Sequence, residues 1–174
     1  MPQHANRLAA MVGRLDPLPA RLRSRALTTL FRTVVPYIGT TGVRFEVCTV
    51  SRVETSLANR RPARNHIGQV HAGAMVLLAE TATGILVGMN TPDTSVPVVK
   101  TIHTDFVRRS QGAMRAVATL TVAQQEQIRT LEKGETVVAV TVTDESGREP
   151  IVCEMVWAWV PKQRGAKPAS GASR

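Results

Sequence analysis

The stretch NHIGQVHAGAMVLLAETATGILVGM, residues 65–89, decides the fold. It opens on polar residues and glycine, then becomes an apolar run in which Glu80 is the only charge from position 72 to 89. Met75, Val76, Leu77, Leu78 and Leu86 fall on every side of a helix drawn through it, so the helix is expected to be buried all round. A carboxylate in that setting is costly to leave without a partner. Glu80 therefore either has a structural counter-charge or performs chemistry.

Downstream of the helix, Pro92-Asp93 marks a turn. Four strand-like segments follow, at 95–108, 113–122, 135–144 and 150–160. Gln111-Gly112 punctuates the first pair, and DESGRE between the last two reads as a hairpin loop. The insert at 124–134 reads as a short helix or an extended hairpin. Upstream, 42–50 and 51–60 alternate loosely and read as a strand pair with a tight connection. No βαβ alternation is present. A long helix followed by a meander of antiparallel strands implies an α+β fold, with the sheet curled about the helix.

Residues 1–34 form a helical extension, with a short helix over 4–15 and a second over 18–34 that ends at Pro36. The second carries Leu22, Leu27, Leu30 and Phe31 at helical spacing, with arginines opposite. Packing on the edge of the domain is the plain reading, and peripheral membrane contact by this basic amphipathic helix is the alternative. The folded domain spans 35–161, and the small-residue basic segment 162–174 is expected to be a disordered tail.

The net charge of +9 is unevenly placed: residues 1–64 hold 11 Lys/Arg and 3 Asp/Glu, whereas 65–161 hold 7 and 10. No recognition motif or aromatic ladder accompanies the basic ends, so a nucleic-acid partner is not expected. Arg7 and Arg14 interrupt any apolar leader, and no secretory signal is expected. Cys48 and Cys153 lie in strand-like runs without metal-ligand spacing. They read as reduced packing residues, with a cytoplasmic location and no metal or cofactor.

The chemistry-bearing groups converge at one end of the central helix. Asn65 and Gly68 lie in the loop before it, His71, Ala72 and Gly73 at its start, and Glu80 two turns further on. A helix N-terminus offers free N–H groups and a positive dipole end that can hold an oxyanion. Glu80 can serve as general base or nucleophile. Ala72 and Glu80 are eight residues apart, roughly 12 Å along one helix axis. One carbonyl can hardly touch both on the same helix. If both act, Glu80 of one copy meets the helix start of another, and the expected assembly is a homodimer or a higher homo-oligomer with equivalent sites across the interface.

The pattern N-x-x-G-x-x-H-A-G-A-x-x-x-L-A-E, here residues 65–80, resembles the helix-entry motif of hotdog-fold acyl-CoA thioesterases. The likeness is to the phenylacetyl-CoA and 4-hydroxybenzoyl-CoA thioesterase-like branch, and to a bacterial subgroup carrying the HAG variant. KTIHTDFVRRSQG (100–112) is similar to that family's strand after the helix, and the resemblance covers about 35–160. It implies a hotdog fold, an acyl-CoA or acyl carrier protein thioester as substrate, and sites at a dimer interface. It makes Glu80 the catalytic carboxylate, the N–H near Ala72 or Gly73 the oxyanion donor and Asn65 an orienting group, with His71 lining the site. Ala72 departs from the usual His-Gly-Gly; it keeps the N–H but adds a methyl and disfavours positive φ. Gly68, His103, Arg108 and Arg109 are the remaining binding candidates, the arginines for coenzyme A phosphates. Two other readings stay open. One is a hydratase or dehydratase that pairs His66 with Glu80. The other is a non-catalytic acyl-thioester- or lipid-binding protein.

Overall fold

The apolar stretch forms α4 (Ala72–Asn90), the longest helix in the computed structural model, which describes residues 6–162. The disordered-tail expectation lies outside the described residues from 163 on. By length and hydropathy α4 would suit a membrane span, but it packs inside a sheet instead. Its end is fixed by buried Asn90, which donates to the carbonyls of Val50 at 2.8 Å and Leu86 at 2.9 Å and accepts from the Arg129 guanidinium at 2.7 Å. Eleven of its 19 residues are buried. The face carrying Val76, Leu77, Glu80, Gly84 and Gly88 is only partly covered. That corrects the expectation of all-round burial, since one copy of the sheet covers only part of the helix.

The sheet has six antiparallel strands: β1 (Arg44–Cys48), β2 (Arg52–Leu57), β3 (Ser95–Phe106), β4 (Met114–Thr119), β5 (Gly134–Asp144) and β6 (Ile151–Pro161), in the order β1-β2-β4-β5-β6-β3. The expected meander fails at β3, which does not pair with its successor β4. It crosses to the far edge and pairs with β6 from Ser95↔Pro161 to Phe106↔Ile151. β5 divides its length, pairing with β6 through Gly134–Val138 and with β4 through residues 139–144. That stagger lets the sheet curve around α4. The sheet comes close at Gly84, where an added Cβ would fall 2.6 Å from the ring of Trp157; the same indole donates to the Thr83 hydroxyl at 2.9 Å. The 124–134 insert is the helix α5 (Val122–Thr130), opened by a Thr121/Gln124 capping box.

The N-terminal residues form α1 (Arg7–Gly13), α2 (Ala20–Val34) and α3 (Pro36–Thr41). Pro36 ends α2 as expected, but it also opens α3, because proline suits the first helical turn. Gly42 closes α3 at φ +80°, a left-handed value suited to glycine. α2 seals the β1 edge: the Phe45 N–H donates to the Thr28 hydroxyl at 3.0 Å, and the Phe31 and Phe45 ring centroids lie 4.3 Å apart. An edge treated this way does not recruit another strand. The β3 edge is different. Among the described residues no strand or helix hydrogen-bonds along its outer side, and Val99, Ile102 and Phe106, on the face towards α4, are 41%, 41% and 54% exposed.

Cys48 and Cys153 are free thiols. Burial pushes the Cys48 thiol up to about 12, with Arg23 working weakly against it, so it stays protonated.

Candidate active site

Glu80 sits half-buried on the partly covered stripe of α4. Burial pushes its carboxyl above the ordinary carboxylate range, with the Thr81 hydroxyl working weakly in the other direction. Among the described residues no lysine or arginine forms an ion pair with it. Neighbouring Thr81 is 3% exposed, and its hydroxyl is buried beside the Glu80 carboxyl. Both line a cavity of about 210 Å³ whose other walls are mostly apolar, including Leu8, Val35, Ile38 and Ile85. A carboxylate held in this way is a stronger base than one in water, and it faces space in which a small molecule could lie.

At the start of α4, His71 is the N-cap, and its Nδ1 accepts from the Gly73 N–H at 3.0 Å. Of the two expected oxyanion donors, Gly73 is therefore already engaged. The Ala72 N–H has no partner among the described residues, and Ala72 is exposed. Among the described residues no non-glycine residue has positive φ, so the extra methyl of Ala72 introduces no backbone strain.

In the preceding loop, the Asn65 side-chain oxygen accepts from the N–H groups of Ile67 at 3.1 Å and Gln69 at 3.0 Å. This Asx turn, with Gly68 at φ +76°, shapes the loop that leads to the helix start. His66 is exposed in the same turn.

The remaining candidates are not gathered around Glu80. His103 and Asp105 lie 3.4 Å apart, but their partners across the β3–β6 ladder are the exposed Glu154 and Val152. The alternate positions Ile102, Thr104 and Phe106 pair with Met155, Cys153 and Ile151, of which Met155 and Ile151 are buried. His103 is thus turned to the sheet face opposite α4, which corrects its placement in the pocket. Arg108 is engaged as well: it donates to Asp144 at 2.7 Å, and Asp144 also accepts from the Gln111 N–H at 2.8 Å and the Ser146 N–H at 2.9 Å. The Arg108 guanidinium is thus held by Asp144, whereas Arg109 is exposed. Residues that sequence reasoning missed are Thr81, Leu8, Val35 and Ile38. The three apolar ones come from 42 to 72 positions upstream of Glu80, and nothing local marks them.

The Asp144 cluster gives a stability prediction. Desolvation raises its pKa, but the hydrogen bonds from Ser146, Arg108 and Gln111 outweigh it and hold the carboxyl well below the usual range. Its contribution is complete above the ordinary Asp pKa of about 3.9 and fades as pH falls toward the depressed folded value. Asp144→Ala is expected to lose about 3 kcal/mol in urea denaturation at neutral pH, because Arg108 and two N–H groups lose their acceptor. That deficit narrows below about pH 4.

A curved antiparallel sheet wrapped on one long helix, with the helix-entry loop and a half-buried acid on that helix, defines a hotdog-fold protein of the thioesterase superfamily. Within that class, the chain belongs to the family described as Domain of unknown function (DUF4442), whose model matches residues 23–160. A protein of unknown function from Pseudomonas aeruginosa, described as a probable thioesterase, is similar with a TM-score of 0.70 and 27% identity, over 83% of this chain and 97% of its own. A thioesterase from Haemophilus influenzae has a TM-score of 0.64 at 16% identity, over 79% and 90%. A mutant thioesterase from Pseudomonas aeruginosa has 0.64 at 18%, over 79% and 94%. The last two likenesses concern the fold alone. No curated protein gives a match to the chain.

Proposed function

We propose that the protein hydrolyses acyl thioesters of coenzyme A or acyl carrier protein, at sites formed between two copies of the chain. The observation that carries this reading is a half-buried carboxylate without a counter-charge among the described residues, its pKa raised by burial, facing a cavity on the central helix of a hotdog domain. The 27% identical neighbour described as a probable thioesterase supports the same chemistry.

In the mechanism, the Glu80 carboxylate takes a proton from water as the water oxygen attacks the thioester carbonyl carbon. The Ala72 N–H of the second copy holds the developing oxyanion at the positive end of α4. Collapse of the tetrahedral intermediate breaks the C–S bond, and the thiolate leaves and takes up a proton. Direct attack by Glu80 would instead form an acyl–enzyme anhydride; label in the protein after a single turnover in labelled water would establish that route, because general-base catalysis puts label only in the product acid. Asn65 shapes the loop before the donor, and Arg109 is an exposed cation for phosphates. Thiol release from a panel of short, long and aromatic acyl-CoAs is the direct test. No release on any member would overturn the hydrolase reading for that panel.

Dimerisation in this reading uses the open β3 edge, the longest strand and one with exposed apolar residues on the face towards α4. Ile102→Lys places a charge there, a device that natural edges use against pairing. It is expected to give a monomer in sedimentation velocity and to lose thiol release. A stable, fully active dimer would show that the interface lies elsewhere.

A further inference from the structure

The cavity beside Glu80 is not built by the hotdog domain alone. Leu8 comes from α1, while Val35 and Ile38 come from the α2–α3 corner and α3. Those helices are fixed in place by specific contacts. The Asn6 side-chain oxygen caps α1 by accepting from the Ala9 N–H at 2.8 Å, and its amide donates to the Gly88 carbonyl at 2.6 Å and to the Thr91 carbonyl. One side chain thus starts α1 and satisfies carbonyls at the end of α4. Leu8 then lies against Gly88, 3.6 Å from where a Cβ would stand. The cavity floor is the partly covered stripe of α4, running from Glu80 past Gly84 to Gly88, eight residues or roughly 12 Å.

The polar groups lie at one end of this space. The Glu80 carboxyl marks the place for a reacting carbonyl or a water, and Ile85, Leu8, Val35 and Ile38 provide apolar walls leading away from it. We propose that the N-terminal helices form the acyl pocket, with Leu8 and Ile38 as the wall that sets acyl length. The occupant is the apolar tail of a short-to-medium acyl group or a single ring. At about 210 Å³ the space is small beside the roughly 300–1,000 Å³ of pockets that hold drug-sized ligands. This rests on the thioesterase reading of Glu80 and adds to it the substrate class and the residues that select it.

The test uses full-length protein and the saturated series from acetyl- to palmitoyl-CoA, with folding of each variant checked by thermal melting. Wild type is expected to gain about fourfold in kcat/KM per added methylene while the chain still fits, and then to stop gaining near octanoyl. Leu8→Ala moves the optimum to longer chains, and Gly88→Leu, which grows into the same space from the floor, moves it to shorter ones. Glu80-dependent hydrolysis with superimposable chain-length profiles in all three proteins would overturn the pocket and leave the hydrolase reading standing. If no member of the series is hydrolysed, the hydrolase reading falls and calorimetry with octanoyl-CoA decides the pocket. Binding weakened at least tenfold by Gly88→Leu keeps it, and equal binding or none overturns it.

Discussion

Glu80→Gln is expected to lower kcat/KM for thioester hydrolysis by about 10²- to 10⁴-fold, the range for removal of a positioned general base. The replacement keeps size and hydrogen-bonding reach and removes only the basicity. Because burial raises the Glu80 pKa, the acid limb of the wild-type kcat/KM profile should lie above the ordinary Glu value of about 4.3. Activity is lost as pH falls through that raised value, and the limb should be absent from whatever activity the variant keeps. Stability has the opposite sign. A carboxyl whose folded pKa is raised binds its proton more tightly when folded, so the folded protein loses stability as pH rises through the window between the two values. At neutral pH the ionised Glu80 therefore opposes folding, and Glu80→Gln should melt no lower than wild type. An inactive variant that is at least as stable separates a functional acid from a structural one. A variant that keeps full activity, or that loses activity only by unfolding, would remove Glu80 from the mechanism.

The same residue shows how far the sequence could be read. An acid alone in an apolar run is legible, because burying it without a partner is costly and that anomaly survives any detail of packing. The coverage of the helix is not legible. Val76 and Leu77 are as apolar as Leu78 and Leu86, yet they lie on the stripe the sheet leaves partly open. Hydropathy reports that a face avoids water, not which surface covers it. β3 illustrates the same gap: SVPVVKTIHTDF is apolar enough for a central strand, and only Pro97 hints at an edge. Its crossing to β6 is a long-range choice with no local signature. The two arginines were equivalent as sequence until Asp144, 36 residues beyond Arg108, engaged one of them. His71 was placed at the helix start by its motif, but whether it would leave the Gly73 N–H free depended on a side-chain torsion that no pattern of residues encodes.

The second large effect belongs to a single backbone hydrogen. Ala72→Pro removes the N–H assigned to the oxyanion and nothing else of consequence: proline is favoured in the first helical turn, and His71 already holds the extended conformation that a following proline requires, at φ −63° and ψ 141°. Thermal stability is expected to stay near wild type, while kcat falls by about 10²- to 10³-fold, the range for loss of one oxyanion donor. Equal kcat in the two proteins would dismiss Ala72 as the donor. The variant also tests where the site lies. Ala72 and Glu80 are too far apart on one α4 to grip the same carbonyl, so a working site must take its base from one chain and its donor from the other. Ala72→Pro and Glu80→Gln subunits, each nearly inactive alone, should then complement when unfolded together, mixed in equal amounts and refolded. Random pairing makes half of the dimers mixed, each mixed dimer has one intact site of two, and recovery approaches about a quarter of wild-type activity. If base and donor came from the same chain, every subunit would carry a lesion in its own site, and mixing would restore nothing.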